Sequence, residues 1–126
     1  MKLIKAMHHV SLKCTSAEYD KVVDFYHRIL GIDIARTWEN GVMFDVGNAL
    51  IEVFRNGTDS LEKGTIRHFA LATDDVDACV ERVTSEGYEV FMGPKEIVIP
   101  SEKEFKARMA FCYGPLGEEI EFFQER

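Results

Sequence analysis

A chain of 126 residues, 46% hydrophobic and 29% charged, has the size and balance of one compact globular domain spanning residues 1–126. Its formal net charge of −7, from 15 basic and 22 acidic residues, argues against a nucleic-acid surface, which would be basic. No apolar run approaches the roughly 20 residues that a membrane-spanning helix needs, so no membrane partner is expected. The opening MKLIKAMHHV is too short and too interrupted to read as a signal peptide. Cys14, Cys79 and Cys112 lie far apart with no CxxC pair, the usage of reduced thiols in a cytoplasmic protein.

The first element begins at His9, where Val10 and Leu12 alternate as in a strand. A helix follows. Thr15 and Glu18 are spaced as a capping box, Tyr19, Val22, Val23, Tyr26 and Leu30 recur at helical spacing, and Gly31 closes it. On this helix His27 is expected to face solvent. Beyond Gly31 the period changes to two. Asn40-Gly41 and Gly47-Asn48 are hairpin signals that separate ARTWE, VMFDV and ALIEVFR as three strands. The segment 57–64 reads as a linker between a first module, 1–56, and a second, 65–126.

The second module repeats the first. His68 opens a strand with Phe69 and Leu71 alternating. Asp74 or Asp75 can cap a helix striped by Val76, Cys79, Val80 and Val83, and Gly87 ends it before the strand-like YEVFM. The stretch GPKEIVIPSEKEFKAR then places Pro94, Pro100 and a run of charges between the later strands, and reads as a loop, a candidate lid over residues 94–106. The pattern is β-α-β-β-β twice, an α+β fold in which two modules can pair their sheets into one curved sheet or half-barrel. Trp38, Phe44, Phe91, Phe111 and Phe123 are expected mostly in the core.

Two carboxylates interrupt apolar strands. Glu52 stands between Ile51 and Val53 in ALIEVF, and Glu121 between Ile120 and Phe122 in EEIEFF. An unpaired ionised carboxylate on an apolar face is expensive to desolvate, so each needs a partner or a wet cavity. His68 follows His9 by 59 positions and Glu121 follows Glu52 by 69, the difference being absorbed by the charged insertion. A lone strand histidine or glutamate has an ordinary structural account; neither account predicts that both recur at matching places. His9, Glu52, His68 and Glu121 together form a mixed nitrogen and oxygen set suited to one divalent Ni, Zn, Co, Mn or Fe ion. His8, next to His9, is expected on the opposite face.

The motifs HHVSL, DFYHRILGI, ALIEVF, RHFALATDDVDA and GEEIEFF, covering nearly the whole chain, resemble the vicinal oxygen chelate superfamily and within it glyoxalase I. That resemblance puts the family's metal ligands on His9, Glu52, His68 and Glu121, with Glu121 as the catalytic base and Glu52 as its counterpart. It implies a small-molecule substrate, a hemithioacetal of a 2-oxoaldehyde and a thiol, and a homodimer. The family's glutathione contacts fall on Lys13, in place of an arginine, and on Asn56. Lysine keeps the charge but loses the two-pronged fork. Lys95, Lys103, Lys106 and Arg108 are further basic candidates, Arg108 the best of them. The turn before the last strand is YGPLG, less polar than the family's usual sequence. Two rival functions follow from the same scaffold. One is an acyl-CoA epimerase, which usually has Gln where Glu52 stands. The other is a metal-free binding protein, which usually lacks the four ligands.

Overall fold

The computed structural model describes residues 6–59, 64, 66–100 and 103–126. Residues 60–63 of the expected linker, the first five residues and the 101–102 part of the insertion lie outside the described residues. The chain divides into two compact units, Met1–Leu61 and Glu62–Arg126.

The first unit runs β1 (His9–Lys13), α1 (Ser16–Val23), β2 (Asp33–Trp38), β3 (Gly41–Asp45) and β4 (Leu50–Phe54). The second runs β5 (His68–Ala72), α2 (Val76–Ser85), β6 (Val90–Ile99), β7 (Phe105–Tyr113) and β8 (Glu119–Glu125). Each forms an open four-stranded sheet, ordered β1-β4-β3-β2 and β5-β8-β7-β6. In each, the first strand pairs in parallel with the last, and the other pairings are antiparallel. The α+β class and the duplicated βαβββ order are therefore as the sequence predicts.

Helix α1 begins where Glu18 accepts hydrogen bonds from the Thr15 amide (2.9 Å) and hydroxyl (3.0 Å). It then loosens into a π-helical stretch, Asp24–Ile29, in which the Leu30 amide donates to the Phe25 carbonyl at 3.0 Å. This widening shifts the apolar stripe. Phe25 and Ile29 join Val22 and Tyr26 in the core, while Val23 and Leu30 are only half-buried. A regular helical period cannot predict that exchange. These side chains cover the face of sheet 1 that carries Val42, Phe44, Ile51 and Val53, all nearly fully buried. Tyr26 and Phe44 meet with ring centroids 5.5 Å apart. In the second unit Asp75 caps α2 by accepting from the Ala78 amide at 3.0 Å. Val76 and Val83 seal the face bearing Ala110, Cys112, Ile120 and Phe122.

The first hairpin differs from its sequence signal. Trp38 pairs with Gly41, so the two-residue turn is Glu39-Asn40 and Gly41 already belongs to β3. Gly41 is needed for closeness rather than for turn geometry. A Cβ there would collide with the Val53 carbonyl oxygen and come within 2.7 Å of the Trp38 ring. Gly47, with φ +99°, serves the second turn, where its amide donates to Asp45 Oδ1 at 2.7 Å.

The insertion is also different. Residues 94–99 continue β6 and residues 105–108 begin β7, so most of the expected loop is a long antiparallel hairpin with register shifts between Val90 and Met92 and between Met92 and Lys95. Lys106 and Arg108 alternate with apolar residues along β7, whereas along β6 Lys95-Glu96 precedes the apolar run Ile97-Val98-Ile99.

Because the Val53 backbone cannot withdraw from a methyl group at position 41, Gly41→Ala is expected to lower stability by about 1–3 kcal/mol, the usual cost of overpacking. The urea midpoint of the variant measures it, and an unchanged midpoint would contradict the close approach.

Candidate functional site

Parallel pairing decides which side chains share a face. Ser11 is opposite Glu52, so His9, Ser11 and Lys13 of β1 lie on the same face as Leu50, Glu52 and Phe54 of β4. Ile51 and Val53 point the other way, into the core under α1. The second unit repeats this register: Ala70 is opposite Glu121, and His68 shares its face. Each histidine sits one pleat before its glutamate on the neighbouring strand.

The result is two matching pairs. His9 Nε2 lies 3.7 Å from Glu52 Oε1, with the histidine side chain 38% exposed and the glutamate 11%. His68 Nε2 lies 3.5 Å from Glu121 Oε1, at 41% and 12%. The carboxylates are recessed and the imidazoles stand at the rim. Burial pushes the Glu121 carboxyl above its usual range, with the neighbouring His68 ring acting in the opposite direction.

Both separations exceed the 2.7–3.2 Å or so of a hydrogen bond. Ligands each about 2.1 Å from one metal stand roughly 3–3.5 Å apart; the 3.5 Å pair reaches that range and the 3.7 Å pair lies just beyond it. Imidazole nitrogen and carboxylate oxygen are also the donors a borderline divalent ion takes. The donor types in each pair therefore fit such an ion. Among the described residues, no group of three or more His, Cys, Asp or Glu side chains is arranged to hold a metal ion.

The surroundings of the two pairs differ. Around Glu121 the face is aromatic. Phe111 is its cross-strand partner and meets the His68 ring edge-on at 5.0 Å, Phe91 is tilted against Phe111 at 5.5 Å, and Phe91 stacks on Tyr113 at 4.3 Å. Around Glu52 the corresponding partner is Met43. Arg36 lies beyond it, its guanidinium donating to the Met43 sulfur at 2.9 Å. Of the five aromatic residues expected mostly in the core, only Phe44 is fully buried there. Trp38 is 37% exposed against Phe54, and Phe91, Phe111 and Phe123 are half-buried on the Glu121 face. Met43 was reachable from the sequence by counting back across the hairpin from Glu52. Arg36 was not, because a register shift between Ile34 and Arg36 moves it to the Glu52 face.

The outer candidates fall differently. Lys13 shares the His9 and Glu52 face, and Asn56 is exposed just beyond β4. Arg108 is not brought to the pair in its unit. It lies on the opposite, helix-covered face, where it grips Asp77 of α2 through two hydrogen bonds of 2.7 and 2.8 Å and lies 3.6 Å from Glu96. Its position at a strand start suggested a binding residue; one step of parity makes it a clamp between helix and sheet. Lys95, Lys103 and Lys106 are exposed. Cys14 and Cys112 are buried and Cys79 is half-buried. Desolvation pushes the Cys112 thiol up to about 12, so it is no thiolate nucleophile at neutral pH. No described helix is long and apolar enough to cross a membrane. His8 also departs from expectation: it precedes the strand, and its ring turns to meet that of His9.

The sequence model of the Glyoxalase/Bleomycin resistance protein/Dioxygenase superfamily matches residues 6–122. The chain belongs to this superfamily. It is 27% identical to the lactoylglutathione lyase of Haemophilus influenzae, with 86% of each chain covered. Among solved structures it is similar to SMU.1112c, at 28% identity and a TM-score of 0.72, covering 97% of this chain and 99% of that one. It also shares its fold with TnmS3, an antibiotic binding protein from Streptomyces sp. CB03234, at 23% identity, full coverage of both chains and a TM-score of 0.74. The same fold thus occurs in a protein named as a lactoylglutathione lyase and in one named as an antibiotic binding protein.

The Arg108 clamp has a pH signature. The Arg108 hydrogen bonds hold the Asp77 carboxyl below its usual range. A depressed carboxyl stabilises the fold above its unfolded pKa of about 3.9, and that contribution fades as pH falls through the lower folded value. Asp77→Asn is therefore expected to melt below wild type at pH 7 and to converge with it in strong acid. A difference that persists unchanged below pH 4 or so would contradict the clamp.

Proposed function

We propose that His9, Glu52, His68 and Glu121 hold one divalent transition metal ion, Ni or Zn foremost, and that the protein is a lyase of the glyoxalase I type. The observation that supports this most is the duplicated His–Glu pair, recessed carboxylate and rim imidazole, repeated at 3.7 and 3.5 Å in both units. The four ligands come from the two units of one chain or of a homodimer. The similarity to lactoylglutathione lyase supports the same reading, as do scattered reduced cysteines for a cytoplasmic setting.

The substrate proposed is the hemithioacetal of a 2-oxoaldehyde and a thiol. A metal held by His9, Glu52, His68 and Glu121 would supply Lewis acidity toward the two adjacent oxygens of that substrate. Glu121 takes the proton from the carbon that bears sulfur and hydroxyl, and delivers it to the neighbouring carbon. The carbon–sulfur bond stays intact, the two carbons exchange oxidation levels, and a 2-hydroxyacyl thioester results with no external oxidant. Burial of the Glu121 carboxyl raises its hold on that proton between the two transfers. Glu52, its counterpart, keeps the second carboxylate. Lys13, on the face of His9 and Glu52, and Asn56, exposed just beyond β4, are the proposed contacts to an anionic thiol carrier, Lys13 acting as a point charge. Arg108 is left out of this set.

A metal-free small-molecule binder is the second reading, favoured by the aromatic wall of Phe91, Phe111 and Tyr113 and by the fold shared with TnmS3. Protein purified without a metal-affinity tag separates the two. The lyase reading expects close to one equivalent of transition metal per site, and turnover of methylglyoxal with at least one thiol in the presence of Ni, Co, Mn or Zn. Less than about a tenth of an equivalent, with no activity on adding any of these ions, would favour the binder.

Glu121→Gln keeps the shape and removes the base. It is expected to lower kcat by at least 100-fold or so with the fold intact by circular dichroism. Turnover near the wild-type rate in that variant would remove Glu121 from the role.

A further inference from the structure

The ring of His8 is built into the first half-site. Its Nδ1 lies 2.9 Å from His9 Nδ1, and the two rings meet edge to face with centroids 5.1 Å apart. Adjacent residues inside a strand would point to opposite faces. His8 escapes that rule because β1 begins only at His9. Its carbonyl is nevertheless fixed, accepting from the Leu50 amide at 3.0 Å, so the ring is carried on anchored backbone.

Two imidazole nitrogens at 2.9 Å need one proton between them. His9 Nε2 faces Glu52, and a ligating nitrogen must be bare. The proton of neutral His9 then sits on Nδ1 and is donated to His8 Nδ1, while His8 carries its own proton on Nε2. We infer that His8 is a positioning residue that fixes the tautomer and orientation of His9 for metal binding. Such partners of a ligating histidine set ring direction and basicity, and losing one typically weakens metal affinity 10–100-fold.

Among the described residues, the other half-site has no such device. His68 is steadied instead by the edge of Phe111, which restrains the ring but chooses neither nitrogen. The two histidines of a near-symmetric site are therefore prepared differently: His9 by a hydrogen bond, His68 by packing. The inference rests on the metal reading given above.

Three variants test it: His8→Ala, His8→Asn, whose amide can still accept a hydrogen bond, and His9→Ala as a control. The first readout needs no metal. In isotopically labelled metal-free protein, the ring nitrogens of His9 are expected to show the Nδ1–H form in wild type and a mixture of tautomers in His8→Ala. The second readout is Zn affinity by competition with a chromophoric chelator. It is expected to fall 10–100-fold in His8→Ala and to recover most of that in His8→Asn. If His8→Ala keeps wild-type affinity while His9→Ala loses it, the positioning role fails and the metal site stands. If His9→Ala also binds Zn as wild type does, His9 is not a ligand, and both readings fall. Thermal melts of all three variants confirm that the comparison is between folded proteins.

Discussion

A carboxylate sunk into an apolar sheet must be compensated, and this requirement organises both halves of the molecule. Glu52 and Glu121 each expose only about a tenth of the side chain, flanked along the strand by core residues. Their imidazole neighbours, at 3.7 and 3.5 Å, stand beyond hydrogen-bonding distance. A buried carboxylate beside a neutral ring gains little by itself.

Much of this was legible in the amino-acid order. Alternation placed β1, β4, β5 and β8, and the same alternation put Glu52 opposite in direction to Ile51 and Val53. The capping box at Thr15 and the cap at Asp75 are local hydrogen-bond chemistry, which sequence states directly. The repeat identified the two His–Glu pairs because one supersecondary unit uses one register twice. What sequence could not supply were phase changes. The π-helical stretch turns Phe25 and Ile29 inward, the shift at Ile34 turns Arg36 toward Glu52, and strand parity turns Arg108 away from Glu121 toward Asp77. Each moves a side chain to another face by a single step of the backbone, and no residue type announces the step. The Glu39-Asn40 turn was missed for a related reason, since Gly41 is small to admit Val53 rather than to bend the chain.

Duplication did not leave the halves alike. The first has Met43, Arg36 and Lys13 beside its glutamate, a polarisable and cationic setting; the second has Phe91, Phe111 and Tyr113, an apolar one. The His–Glu pairs are repeated while the side chains beside them have diverged.

The parallel pairing of first with last strand has a further consequence, in time rather than in space. His9 and Glu52 are 43 positions apart and His68 and Glu121 are 53 apart, yet each pair meets only when the closing strand docks beside the opening one. Every half-site is thus a late, long-loop contact within its own unit. During synthesis on the ribosome the amino-terminal pair can be complete while the carboxyl-terminal one is still being translated.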